Sequence, residues 1–332
     1  MLADEKILVT GPAGQIAFPL AARLARDNEV WGVARFSEEG SRDRCEDAGI
    51  TTRRVDLGQG HFDELPEDFT YVLHLAAYLG GESDYGAALR VNAEGTGVLM
   101  HRFRRARAVM VMSTGSVYKP HDDPFHRIRE DDPLGDASLP AVPTYSISKI
   151  SQEAVARTMC RTLEVPTVIA RMNVAYGDNG GLPVHHLDNI VADRPITFRW
   201  DPAPYVPIHE NDVYLQLEAL LDAASVPATI VNWGGDDVVT AQQWCAHFEE
   251  LTGRTAQSVV TPIPGTRRGT ALDNTKRLSI TGPASVQWRD GMSRLFANRY
   301  RNGLDAGPLG PRAAHAMQAA ESKAQNVHDT TK

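Results

Sequence analysis

The chain has 332 residues, with 34 basic against 42 acidic side chains and a formal net charge of −8. An acidic balance of this size disfavours a nucleic-acid partner. No apolar run approaches the roughly 20 residues that cross a bilayer, so no membrane span is expected and a soluble globular chain with a large core is.

Short apolar runs alternate with helical patterns through the first half. Strands are predicted over 6–10, 29–34, 51–55, 71–76, 108–113 and 167–170, with helices over 16–27, 38–48, 92–103 and 146–163. This βαβ rhythm predicts an α/β fold, a doubly wound parallel (Rossmann) sheet, in a dinucleotide-binding domain over 1–177. Beyond Gly177 the rhythm fails: Pro183, Pro195, Pro202, Pro204 and Pro207 leave room only for short elements. A mainly substrate-binding lobe is expected over 178–300, with the sheet completed by about 206–235 through a strand at 227–233, and a helix over 241–251. Residues 301–332 turn to Gly, Pro, Ala and polar side chains, the composition of a disordered tail with a short helical stretch at 312–324.

The N-terminal stretch MLADEKILVTG lacks the basic and apolar segments of an export signal. Cys45, Cys160 and Cys245 have neither pairing nor metal-ligand spacing, so they read as buried small hydrophobes in a cytoplasmic protein. His185 and His186 are adjacent and cannot easily converge on one ion, so no metal is expected. The basic run 101–107 reads as the end of a helix, where cations complement the dipole.

Directly after the first strand, Gly11, Ala13, Gly14, Gln15 and Ile16 belong to a G-x-x-G-x-x-A loop that opens a helix at Ala17. Glycines there let backbone N–H groups approach a pyrophosphate at the positive helix end. The second strand ends Val33-Ala34-Arg35. An acidic residue at that point would accept from a ribose 2′-OH; Arg35 instead favours a 2′-phosphate, hence NADP over NAD, with Glu38 or Glu39 as the alternative ribose ligand. Asp56 and Leu57 follow the third strand, and Leu75, Ala76 and Ala77 close the fourth, where small side chains allow a flat ring or ribose close to the backbone.

The chemistry-bearing segment is Y-x-x-x-K, Tyr145 to Lys149, at the start of a predicted helix, which places both side chains on one face a turn apart. Lys149 together with an oxidised nicotinamide would bring the phenol from about 10 toward neutrality, making it a usable acid and base. Upstream, Thr114 and Ser116 put hydroxyls at the carboxyl end of the fifth strand, where such sheets bind ligands.

These segments resemble the extended short-chain dehydrogenase/reductase superfamily, in its NAD-dependent epimerase/dehydratase branch, over about residues 5–300. The resemblance rests on TGPAGQIA, Asp56, HLAA, VNAEGTG, STGSVY, YSISK, ARMNVAYG and IHENDV. It implies that Thr114 polarises the reacting oxygen, that Tyr145 moves the proton, and that Lys149 holds the nicotinamide ribose. It also implies that Asp56 approaches the adenine, that Asn92 braces the active-site helix and that Asn173 meets the substrate. Departures bear on the substrate. Tyr205 stands where sugar-nucleotide members commonly carry a diphosphate-binding Arg, and Gly115-Ser116 follow Thr114 where sugar dehydratases carry Asp-Glu. Arg267 and Arg268 read either as a phosphate grip or as an exposed basic turn.

The expected function is NAD(P)-dependent hydride transfer at a carbinol or ketone carbon of a small molecule. Two outcomes are open, a nucleotide-sugar epimerase, favoured by the segment 171–177, or a carbonyl reductase/alcohol dehydrogenase, favoured by Tyr205 and Arg35. A non-catalytic NADP-binding regulator is the alternative. The resemblance further implies a homodimer through the helices predicted at 92–103 and 146–163.

Overall fold

The computed structural model describes residues 1–80, 83–135 and 142–310; the tail segment 312–324 lies outside them. Seven strands form one parallel sheet. In chain order they are β1 (Lys6–Thr10), β2 (Glu29–Ala34), β3 (Thr51–Arg54), β4 (Tyr71–His74), β5 (Ala108–Thr114), β6 (Thr167–Met172) and β7 (Thr229–Trp233). Their spatial order is β7-β6-β5-β4-β1-β2-β3, so the winding direction reverses between β1 and β4 and opens a crevice at the carboxyl ends of those two strands.

Alternation along the strands supplies two cores, one on each face. Ile7, Val9, Met110 and Ala170 pack on one side, and Leu8, Val109, Val111 and Ile169 on the other. The side bearing Leu8 is covered by the helix Tyr145–Leu163, whose buried stripe changes character along its length. Ser148, Lys149, Gln152 and Glu153 are buried in its first turns, and Ala156 and Cys160 further on. A buried polar stripe is costly unless it is bonded, so its presence here marks the start of this helix as the site.

The proline-rich region hides an element longer than the short pieces expected there. Glu210–Asp222 is a thirteen-residue helix, and Val213, Leu217, Leu220 and Leu221 bury its apolar face against the sheet. It is the right-length crossover from β6 to β7, which pair in parallel. The smaller lobe has its own core, in which helices Leu182–Val191, Ala241–Thr252 and Trp288–Arg299 enclose Trp244, Phe248 and Met292. All three cysteines are buried and unpaired. Among the described residues no helix is long and apolar enough to cross a membrane, and no group of His, Cys, Asp or Glu is placed to hold a metal ion.

Two histidines are buried as neutral rings. Trp244 donates to His186 Nδ1 at 2.9 Å, and burial pushes the His186 pKa down to about 3. His74 is likewise held at about 3, by burial first and then by the charge of Lys149. In the unfolded chain both rings bind a proton below pH ~6.5, whereas in the fold they do so only near 3, so stability falls as the pH falls through that window. Each ring should remove about 2 kcal/mol between pH 7 and pH 5. His186→Asn keeps an acceptor for Trp244 and should flatten the dependence of Tm on pH by half; an unchanged slope would show that the ring does not control it.

Candidate active site

The loop after β1 is built as an anion cradle. Gly11 adopts φ +67°, and a Cβ added there would come within 3.1 Å of Ala76 at the end of β4, so only glycine lets the two strand ends close this tightly. The following helix, Ala17–Leu24, has no side-chain cap and no acidic residue in its first turn, leaving its N–H groups for a ligand. Gln15 Nε2 donates to the Ala175 carbonyl, and Asn179 Nδ2 donates to the Gln15 carbonyl, pinning the loop from the far side. This construction fits a dinucleotide pyrophosphate.

Beneath the loop a buried chain of bonds links β1, β4 and the Tyr145 helix. Thr10 Oγ1 accepts from the N–H groups of Leu75 and Ala76, so its own proton goes to His74 Nδ1 at 2.9 Å. His74 therefore carries its proton on Nε2 and donates to Thr96 Oγ1 at 2.8 Å, and Thr96 in turn donates to the Asn92 carbonyl. Gln152 Nε2 joins at Thr96 from the Tyr145 helix. Asn92 lies in a π-helical turn, Arg90–Glu94, inside a longer helical run. Its Oδ1 accepts from Tyr78 N, its Nδ2 donates to Ser148 Oγ at 2.9 Å, and Ser148 Oγ donates to the Tyr145 carbonyl. Asn92 thus ties the β4 exit loop to the first turn of the active-site helix. Ala77 is exposed, Leu57 is buried, and Asp56 accepts from Gly58 N at the end of β3.

At the end of β2, Ala34 supplies no carboxylate and Arg35 is exposed, with no side-chain partner among the described residues. Arg44 was not singled out in the sequence, but the fold brings it to the same loop. Its Nη2 donates to the Ala13 carbonyl at 2.7 Å, its guanidinium lies 4.0 Å from the Phe18 ring centre, and its buried Nε has no partner.

Thr114, Tyr145 and Lys149 converge at the carboxyl end of β5. Thr114 Oγ1 accepts from Ser116 N and donates to Ser116 Oγ, both at 3.1 Å, and its hydroxyl acts on the neighbouring Tyr145 phenol. Lys149 is buried and donates to the Met112 carbonyl at 2.6 Å; burial lowers its pKa to about 7. The Tyr145 pKa is raised, chiefly by burial, and two groups pull it back, the Thr114 hydroxyl and the charge of Arg267. In the protein without its dinucleotide, the cation that acts on the Tyr145 phenol is Arg267.

The two arginines of the 267–268 turn part company. Arg268 lies over the Trp200 ring at 4.9 Å on the exposed side. Arg267 turns inward, its Nη1 donating to the Gly115 carbonyl at 2.7 Å and to Thr270 Oγ1, its Nη2 to Ser116 Oγ at 3.0 Å. Tyr205 is half-buried, tilted against Trp244 at 5.6 Å between ring centres. Asn173 uses its amide on the backbone, accepting from Val174 N and Val206 N and donating to the Thr270 carbonyl. It fastens the second lobe to the pocket wall and has one N–H left for a substrate.

A parallel sheet wound both ways from a glycine loop, with Tyr, Lys and Thr meeting at its carboxyl edge, defines a dinucleotide-binding α/β enzyme scaffold. The model of the NAD dependent epimerase/dehydratase family matches residues 7–195, and the chain belongs to that family. It is 23% identical over 271 residues to an uncharacterized UDP-glucose epimerase, YtcB, of Bacillus subtilis, covering 76% of this chain and 83% of the relative. The fold matches UDP-glucuronic acid 4-epimerase from Bacillus cereus, solved with UDP-glucuronic acid and NAD, with a TM-score of 0.74 and 22% identity over 86% of this chain and 96% of that one. It also matches UDP-N-acetylglucosamine 4-epimerase from Methanobrevibacter ruminantium, with a TM-score of 0.76 and 16% identity over 89% and 97% of the two chains.

Proposed function

We propose that the protein transfers a hydride at a carbinol or ketone carbon, with Tyr145 as the proton donor and acceptor. The observation that carries this reading is the meeting of Thr114, Tyr145 and Lys149 at the carboxyl end of β5, the strand next to the reversal of the sheet. The nicotinamide, when bound, accepts the hydride and can return it. Thr114 orients the substrate hydroxyl toward Tyr145, which takes its proton as the carbon is oxidised and gives it back on reduction. Lys149 holds the nicotinamide ribose once it turns from the Met112 carbonyl. The intact trio speaks against a non-catalytic regulator.

Return of the hydride to the opposite face of a retained ketone makes the enzyme an epimerase, the activity carried in the relatives' names. Tyr205 in place of a diphosphate-binding Arg, and Arg35 at the end of β2, favour the second outcome, a dehydrogenase or reductase that exchanges its cofactor. Mass spectrometry of the nucleotide released on denaturing freshly purified protein separates the two: stoichiometric NAD supports the epimerase, and an empty site or loosely held NADP the dehydrogenase.

Arg35 and Arg44 are the cofactor-selecting residues in this reading, both without a carboxylate partner among the described residues and both expected beside the adenosine ribose. A charge-assisted bond to a 2′-phosphate contributes about 1.5–3 kcal/mol, so Arg35→Ala should weaken NADPH about 10- to 100-fold and leave NADH nearly unchanged. Equal loss of both cofactors in a fluorescence titration would remove Arg35 from that role.

A further inference from the structure

The described fold buries three arginines, and each of them faces a carboxylate. Arg171 pairs with Glu153, Arg277 with Asp236 and Arg299 with Asp188. Arg267 has none. Every acceptor it meets is neutral, the Gly115 carbonyl and the hydroxyls of Ser116 and Thr270. Three of its five N–H groups are used there, and its Nε is buried without an acceptor. The charges and phenols that reach it are Tyr205, Arg199 and Tyr145, with no carboxylate among them. Even so, its pKa is lowered only to about 10, by burial, so the guanidinium is charged at neutral pH. A half-buried cation whose Nε is buried without an acceptor, and which meets no carboxylate among the described residues, suits a site that receives an anion.

Its position says which part of a ligand that anion would be. Arg267 Nη2 and Thr114 Oγ1 both donate to Ser116 Oγ, and Thr114 and Arg267 both act on the Tyr145 phenol, so two hydrogen bonds link the guanidinium to the hydroxyl beside the group that moves the proton. We propose that Arg267 is the anion subsite of this pocket and that the substrate carries a carboxylate within one or two bonds of its reacting carbinol carbon. The class is that of hydroxy acids and their keto acids, including acid sugars. A planar guanidinium fork recognises a carboxylate by paired bonds, which a lysine ammonium does not reproduce. The assignment rests on the hydride-transfer reading for which carbon reacts, but it holds for an epimerase and a dehydrogenase alike. It also accounts for the arginine turning into the pocket while its neighbour Arg268 stays outside on Trp200.

The test is equilibrium binding of small probes to the cofactor-loaded protein, followed by saturation-transfer NMR. The probes are lactate, its uncharged amide lactamide, and methyl phosphate. Wild type should hold lactate at least about ten-fold more tightly than lactamide, as a charge-assisted pair requires. R267Q should bring the two within about two-fold, and R267K should keep only part of the preference, with cofactor affinity unchanged in both. Equal binding of lactate and lactamide to wild type would overturn the proposal without any variant. A preference that survives in R267Q, or an Arg267-dependent site that takes methyl phosphate and not lactate, would overturn it as well. Failure of the hydride-transfer reading would show elsewhere, as full turnover in Tyr145→Phe, a readout independent of carboxylate binding.

Discussion

Tyr145→Phe is expected to lower kcat about 10²- to 10⁴-fold while leaving the Kd for the dinucleotide within about two-fold of wild type. The substitution removes one oxygen beside the Thr114 hydroxyl. The cradle at Gly11 and Gly14 and the buried chain through Thr10, His74 and Thr96 stay as they are. What is lost is proton transfer to and from the substrate oxygen, needed in either direction. Burial raises the Tyr145 pKa above its ordinary 10, and Arg267 and Thr114 oppose that rise. A companion Arg267→Gln should therefore move the basic limb of the rate profile to higher pH, because the phenol then loses the cation that favours its ionised form. A Tyr145→Phe enzyme with unimpaired kcat would end the proposed mechanism. One with kcat and cofactor binding lost together would instead assign the ring a packing role.

The parts of this site that were legible in the sequence are those set by local pattern. The sheet is read from short β-branched runs at regular spacing, and β1 and β2 fall where the periodicity places them. The glycine loop, Thr114 and the Tyr145–Lys149 pair follow because each sits within a few residues of the element that positions it. Arg44 and Glu153 were not legible as site residues, and Arg267 only as one of two readings of a basic turn, since their roles depend on partners far along the chain: Arg267 reaches Ser116 across 151 positions. No local spacing announces such a contact. The helix Glu210–Asp222 was masked by Pro202, Pro204 and Pro207 just before it; the prolines shape its approach and none lies inside it. The π-helical turn around Asn92 is likewise invisible to a 3.6-residue period, since it inserts a residue into one.

Glu153→Ala is expected to cost about 3–5 kcal/mol of folding stability, more than any surface change in this chain. Glu153 accepts from Arg171 Nε at 2.9 Å and from Arg171 Nη2 at 2.7 Å, and also from the Ser113 hydroxyl, with both charged side chains 2–3% exposed. Arg171 carries the network onward, donating to Tyr118 Oη and to the Glu130 carbonyl. Tyr118 donates to Asn232 on β7. Removing the carboxylate leaves a buried guanidinium facing two neutral partners, which is why the cost is the penalty of an uncompensated charge and not the modest worth of an exposed pair. Ser113 stands one residue before Thr114, and Glu153 one turn after Lys149, so the same change should loosen the catalytic hydroxyl and lower kcat alongside stability. Urea unfolding with paired kinetics gives the reading. A loss under about 1 kcal/mol would mean that water or the Glu130 side chain compensates Arg171, and the pair would then not be what holds β5, β6 and the active-site helix in register.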